Sequence, residues 1–80
     1  MNLSDYQNEA KMAKLELRLA EARLLYYQYL SLDCDLYDNA CHIIVNDLRV
    51  PEKMEPIEAG VCKKHIGRIT KIESLINKMR

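Results

Sequence analysis

The most constraining feature of this sequence is that residues 1–50 contain neither proline nor glycine. Most positions up to Leu30 are strong helix formers, and Ser4 with Gln7 has the spacing of a capping box, which predicts a helix over about residues 5–30. Two apolar stripes follow this predicted helix in alternating steps of three and four residues, as in a coiled coil. The first stripe is Met12, Leu15, Leu19, Ala22, Tyr26 and Tyr29; the second stripe is Ala10, Ala13, Leu17, Ala20, Leu24 and Tyr27.

The two stripes are offset by two residues, which is a rotation of about 200°, so they lie on nearly opposite sides of one helix. Such a helix needs apolar neighbours on both sides. Either later helices of the same chain cover both stripes, or one stripe faces a second copy of the chain. Because a chain of 80 residues buries limited apolar surface alone, the sequence favours the second alternative. We therefore predict a homodimer or higher oligomer joined through a coiled-coil-like seam.

The rest of the chain predicts an all-α fold in a single domain over residues 1–80. Ser and Asp residues near Asp33 indicate a break, and helical periodicity resumes over about residues 33–48, which we interpret as a kinked continuation rather than a full turn. Pro51 and Pro56 predict a loop over residues 49–56. A last helix over about residues 57–78 would pack back antiparallel, giving a helical hairpin or a three-helix bundle.

Charge is balanced over the whole chain but divided along it. The chain carries 12 basic and 12 acidic residues. Residues 31–60 hold seven acidic and two basic residues, net −5, whereas residues 61–80 hold six basic and one acidic, net +5. This division favours an antiparallel pairing of the second helical segment with the third. Zero net charge argues against a general nucleic-acid binder, although a basic row on the last helix keeps that function as an alternative. The row is Lys64, Arg68, Lys71 and Lys78.

A zinc site is the alternative that the cysteines and histidines suggest. Cys62 and His65 share one face of the last helix, and pairing with the second helical segment would bring Cys41 to the same level. A fourth ligand is missing, because Cys34 is about 10 Å from Cys41 along a helix and His42 points away from it. The competing interpretation is that all three cysteines are buried apolar residues without a cofactor. No orienting group or oxyanion loop accompanies a Cys–His pair, so we do not expect an enzyme.

The tyrosines indicate where a protein partner would bind. A buried tyrosine hydroxyl needs a hydrogen-bond partner, and tyrosine is enriched at protein interfaces, so the cluster at residues 26–29 suits a contact surface. Ordinary packing at the rim of the helix end is an equally weighted alternative. We therefore predict a non-enzymatic interaction module that self-associates and regulates or inhibits a larger protein. The zinc-stapled hairpin and the nucleic-acid binder are the alternatives. The predicted interface residues are Leu15, Leu19, Ala22, Tyr26, Tyr27 and Tyr29.

Composition also bears on location. The N-terminus lacks the basic start and apolar core of a secretion signal, and charged residues interrupt every apolar run that would cross a membrane. Three cysteines, an odd number, favour reduced thiols. We expect a cytoplasmic protein, or one of a host cytoplasm if the source is viral; a phage or mobile-element origin is a guess from chain length. No motif is specific enough to indicate a family.

Overall fold

The structure, a computed structural model, describes residues 1–33 and 38–80 and confirms the all-α prediction for them. Helix α1 spans Leu3–Asp33, α2 spans Asp38–Asp47 and α3 spans Pro56–Met79. The run at residues 42–45, which is rich in β-branched side chains, is helical. Cys34 and Tyr37, which the sequence assigned to a continuing helix, lie outside the described residues.

A different capping box from the predicted one starts α1. The backbone N–H of Asp5 donates to Asn2 Oδ1, and the N–H of Asn2 donates to Asp5 Oδ2, each at 3.1 Å. These two reciprocal bonds satisfy donors that an open helix end leaves unpaired. The helix therefore begins at Leu3, and Ser4 lies inside its first turn. Asn is as good an acceptor at this position as Ser, which is why spacing alone picked the wrong pair.

Helix α2 lies back alongside α1, so the expected kinked continuation is wrong. The hydroxyl of Tyr26 donates to the backbone carbonyl of Arg49 at 2.6 Å. A continuous helix would separate these residues by about 34 Å. The buried side chains of Cys41, Ile44 and Val45 belong to the same core as α1. Helix α2 therefore packs against α1 instead of extending it.

The end of α2 is a Schellman motif built without glycine. The N–H of Arg49 donates to the carbonyl of Ile44 at 3.1 Å, and the N–H of Leu48 donates to that of Val45 at 3.4 Å. Leu48 has φ 54°, the left-handed conformation that this motif requires. Leu48 also packs against the core. Burial of its side chain offsets the cost of about 1–2 kcal/mol for a non-glycine residue there.

Helix α3 runs antiparallel to α1. Glu73 pairs with Arg23 at 3.0 Å, and the ring of His65 stacks on Tyr26 with centroids 5.3 Å apart. Among the described residues, no Cα of α2 comes within 8 Å of a Cα of α3. The expected pairing of the acidic segment with the basic one is therefore corrected: α3 takes α1 as its neighbour. Burial of the apolar stripe of α3 outweighs exposed ion pairs, which are worth only about 0.2–1 kcal/mol each.

The hydrophobic core draws on all three helices. Its buried members are small, aliphatic or sulfur-containing, with one tyrosine, and they form one contiguous cluster. The molecule is elongated, 51 × 21 × 15 Å, because α1 runs almost its full length. The buried residues are Ala22, Tyr26, Leu30, Cys41, Ile44, Val45, Cys62, Ile69, Ile72 and Ile76.

Candidate functional site

The first stripe of α1 is used inside the chain. Ala22 and Tyr26 are 1% and 0% exposed, and Leu15, Leu19 and Tyr29 are partly buried against the same core. Tyr27, which the sequence placed on the second stripe, also contacts the core in part. All six residues predicted to form an interface thus pack within their own chain. The sequence identified their apolar periodicity correctly but did not show which neighbour would cover them.

The second stripe of α1 is open to solvent except at Tyr27, which is half-buried. Leu17 and Leu24 are 61% and 53% exposed, and the alanines between them are exposed as well. The same steps of three and four residues continue backwards to Tyr6, 58% exposed, and Leu3, 72% exposed. Tyr6 and Leu3 were not predicted to belong to the stripe, although their spacing was a sufficient signal. We call the whole set the outer stripe: Leu3, Tyr6, Ala10, Ala13, Leu17, Ala20, Leu24 and Tyr27.

Charged residues of alternating sign border the outer stripe. Lys14 and Glu21 lie along one edge, and Glu9, Glu16 and Arg23 lie along the other; all five are exposed. These are the positions that flank the apolar seam of a coiled coil and select its partner and direction. Arg23 also reaches Glu73 on α3 through Nη2. A guanidinium has five N–H donors, so this ion pair leaves Arg23 able to contact a second acceptor.

The chain exposes more surface than a compact monomer of its size. Its accessible area is 6107 Å². A folded monomer of 9.4 kDa is expected to expose about 5,000 Å². The excess of about 1,100 Å² exceeds the roughly 800 Å² that one partner contributes to a standard interface. The exposed apolar side chains of the outer stripe, among them Leu3, Leu17 and Leu24, are part of this accessible area.

The three predicted zinc ligands do not come together. In the described part of the chain, no group of three His, Cys, Asp or Glu side chains is placed to hold a metal ion. The prediction had placed Cys41 level with His65 by pairing α2 with α3, whereas both helices pack on α1 instead. Cys41 and Cys62 are both fully buried. Their burial fits the interpretation that they are apolar core residues.

The aromatic cluster at the centre of the molecule joins α1 to α3. His65 lies against Tyr26 and Tyr29, with ring centroids 5.3 and 5.7 Å away. Burial lowers the pKa of His65, and the nearby charge of Arg68 lowers it further. Burial raises the pKa of Cys62 against the opposing effect of its hydrogen bond with Tyr26, and the Cys62 thiol donates to Met54 Sδ at 3.4 Å. A nucleophilic cysteine needs a lowered pKa, so Cys62 has the properties of a structural thiol.

The basic row of α3 is exposed, as expected for either a solvated face or a phosphate contact. Lys64, Arg68, Lys71 and Lys78 all face solvent. Gly60 and Gly67 also lie on an open face, with no atom within 4 Å of an added Cβ. These two glycines are therefore not what brings α3 close to α1. Grooves along the helices are shallow; one lined by Leu19, Arg23 and Glu73 holds about 310 Å³.

Comparison with known proteins gives no further assignment. No protein-family model matches the sequence, and neither the curated proteins nor the solved structures include a significant match. In the part of the chain that the structure describes, no helix has the length and apolar character needed to cross a bilayer. The physical character of the outer stripe is therefore the strongest guide to function.

Proposed function

We propose that this protein is a non-enzymatic interaction module whose binding surface is the outer stripe of α1. The observation that carries the proposal is an apolar stripe that stays exposed while the opposite stripe of the same helix is buried. Contiguous exposed apolar surface on a small protein marks an interaction site. The stripe offers large anchors, Leu17 and Leu24, separated by alanines that allow a partner helix to approach closely.

The partner surface that best fits is another amphipathic helix. A single straight helix with anchors in steps of three and four residues matches helix-on-helix packing, in which side chains of one helix enter the spaces of the other. Through this contact the module would self-associate and regulate or inhibit a larger protein. The properties of Cys62 support a role without catalysis. The odd number of cysteines and the buried thiol of Cys62 support a reducing compartment such as the cytoplasm.

Site-specific photo-crosslinking tests the proposal. A photoreactive amino acid at Leu17, on the outer stripe, is compared with the same group at Ile57, which is 84% exposed at the start of α3. Both positions are open, so neither substitution should disturb the fold. We expect protein–protein crosslinks from position 17, in purified protein and in cells that express it, and few from position 57. Equal yields at the two positions, or none at position 17, would contradict an interaction site on this stripe.

The nucleic-acid alternative rests on the exposed basic row of α3. Phosphate contacts strengthen as salt is lowered, so binding to a mixed-sequence duplex at low salt is the discriminating measurement. Replacing Lys64 and Arg68 with Gln should abolish any such binding. Binding that survives this double substitution would show that the row is not responsible, and absence of binding in the native chain would exclude the alternative.

A further inference from the structure

We propose that the occupant of the outer stripe is a second copy of the same chain, packed antiparallel so that a two-fold axis passes between Arg18 and Leu19. This inference rests on the proposed function, because it names the partner of the same surface. It follows from two independent properties of the stripe, the sizes of its side chains and the signs of the charges along its edges. Both select the same register.

Side-chain size is complementary in this register. A two-fold axis between Arg18 and Leu19 sets Leu17 opposite Ala20 of the second copy. The next layers outward set Ala13 opposite Leu24 and Ala10 opposite Tyr27. By symmetry each pair occurs twice, so all six layers match one alanine with one large side chain. Layers that alternate large and small side chains fill space without voids and let the helix axes come close.

Edge charge is complementary in the same register. In an antiparallel pair, residues on one edge face the same edge of the partner. Lys14 then faces Glu21 of the second copy on one edge, and Glu16 faces Arg23 on the other. Each pair occurs twice, so four attractive pairs form and no two like charges meet. All of these side chains are exposed in the single chain.

Other antiparallel registers lose this match. A shift by one heptad in one direction sets Lys14 against Lys14 and Glu16 against Glu16 of the second copy. The same shift in the other direction sets Glu21 against Glu21 and Arg23 against Arg23. Like charges at these flanking positions destabilise a coiled coil and act against the register that brings them together.

A parallel dimer is disfavoured by both criteria. Parallel helices pair identical layers, so Ala13 would meet Ala13 and Leu24 would meet Leu24, which leaves some layers thin and others crowded. Along the edges, Glu9 would attract Lys14 of the second copy, but Glu16 would repel Glu21. In either direction, the excess surface of the single chain, about 1,100 Å², is enough to supply the roughly 800 Å² that one partner of a standard dimer contributes.

Solution mass and one pair of variants test for the dimer. Sedimentation equilibrium should give twice the chain mass of 9.4 kDa. Leu17→Glu should give a monomer with unchanged helix content, because Leu17 contacts solvent and not the core. The matched control Ile57→Glu places the same charge at an exposed site off the stripe and should remain a dimer. A chain that is monomeric up to millimolar concentration, or a dimer that Leu17→Glu leaves intact, would overturn the proposal.

Charge reversal decides the direction of the pair. In the antiparallel register Glu21→Lys turns two attractions into repulsions. We therefore expect the dissociation constant of the dimer to rise roughly tenfold. In a parallel dimer the same change removes the repulsion with Glu16 and would tighten association. Adding Lys14→Glu to Glu21→Lys should tighten the dimer back to native affinity in the antiparallel register, whereas in a parallel dimer it creates a repulsion with Glu9 and would weaken association relative to Glu21→Lys alone. Tightening by Glu21→Lys, or no restoration in the double variant, would reject this register.

Failure of this inference is distinguishable from failure of the proposed function. Crosslinks from position 17 to a different protein, together with a monomeric purified chain, would retain the interaction surface and reject the second copy as its occupant. Absence of crosslinks to any protein from position 17 would reject both. Crosslinks between copies from position 17, with the response of Glu21→Lys described above, would support both.

Discussion

The two stripes of α1 have the same periodicity and opposite environments. One stripe is covered by α3 and α2. It contains Ala22 and Tyr26, which together with Leu30 are the least exposed residues of the helix. The outer stripe keeps Leu17 and Leu24 more than half exposed. Apolar periodicity therefore predicts which face of a helix needs an apolar neighbour. Which neighbour packs there depends on how many other helices the chain contains.

The largest expected effect separates a covered position from an open one. Ile69→Ala removes a fully buried side chain and should lower the free energy of unfolding by about 2–5 kcal/mol. Leu24→Ala on the outer stripe should change it by less than about 0.5 kcal/mol in the monomer. Urea unfolding at protein concentrations below dimer formation measures both. Equal losses of unfolding free energy at the two sites would mean that the buried position and the outer-stripe position do not differ in burial.

The next effect compares a buried tyrosine of α1, Tyr26, with an exposed one, Tyr6. Tyr26→Phe leaves the carbonyl of Arg49 without its 2.6 Å donor and should cost about 1–2 kcal/mol. Tyr6 is 58% exposed on the outer stripe, so Tyr6→Phe should be nearly neutral. Unfolding midpoints of the two variants provide the measurement, and a neutral Tyr26→Phe would show that this hydrogen bond contributes little to holding α2 on α1.

An effect of similar size but opposite sign extends the comparison to α3. An added Cβ at Gly67 would meet no atom within 4 Å, so Gly67→Ala should raise stability by about 1 kcal/mol through helix propensity alone. For a domain of this size that is a rise of about 4–8 °C in Tm. A fall in Tm, or a loss of association at native stability, would indicate that something packs on this face.

The smallest expected effect is the pH dependence that His65, on the covered side of α1, gives to the free energy of unfolding. Since burial and then Arg68 lower the pKa of His65 in the folded chain, the unfolded chain binds more protons just below the ordinary value of about 6.5. Stability from this group is therefore fully present above about pH 6.5 and is lost as pH falls toward the folded pKa.

Two variants isolate that contribution. His65→Phe keeps a ring against Tyr26 without a titrating group, so its unfolding midpoint should fall less than that of the native chain between about pH 7 and 5.5. A second substitution at the same position provides the control: His65→Gln also removes the titrating group and should show the same reduced slope. A native slope in His65→Phe would assign the pH dependence to other groups.

Sequence alone predicted the local parts of this fold. Helix propensity and the steps of three and four residues located α1, α3 and their apolar stripes, because these signals arise within one helix. In α3, the side chains of Cys62, Ile69, Ile72 and Ile76 recur in steps of three, four or seven residues and are buried. Local chemistry was less specific at the ends, where Asn2 with Asp5 took the capping role expected of Ser4 with Gln7.

Pairing between helices was not predictable in the same way. Charge balance pointed to α2 as the neighbour of α3, but exposed charges contribute less than burial of apolar side chains, and α1 offered the longer apolar stripe. The metal hypothesis failed with that pairing, since it depended on Cys41 and His65 meeting across α2 and α3. The candidate site was half predictable: the second stripe was identified, and its extension through Leu3 and Tyr6 could have been found from the same spacing, but its exposure required the structure.

The attachment of α2 to α1 alone has a kinetic consequence. Ten residues are too few to hold a helix in water, so α2 should detach in a sub-global opening that leaves the α1–α3 pair intact. That opening would uncover the thiol of Cys41 while Cys62 stays in contact with Tyr26 of α1 and with Met54. Two buried sulfur atoms in one small chain thus report separately on partial and complete unfolding, each through its own rate of alkylation.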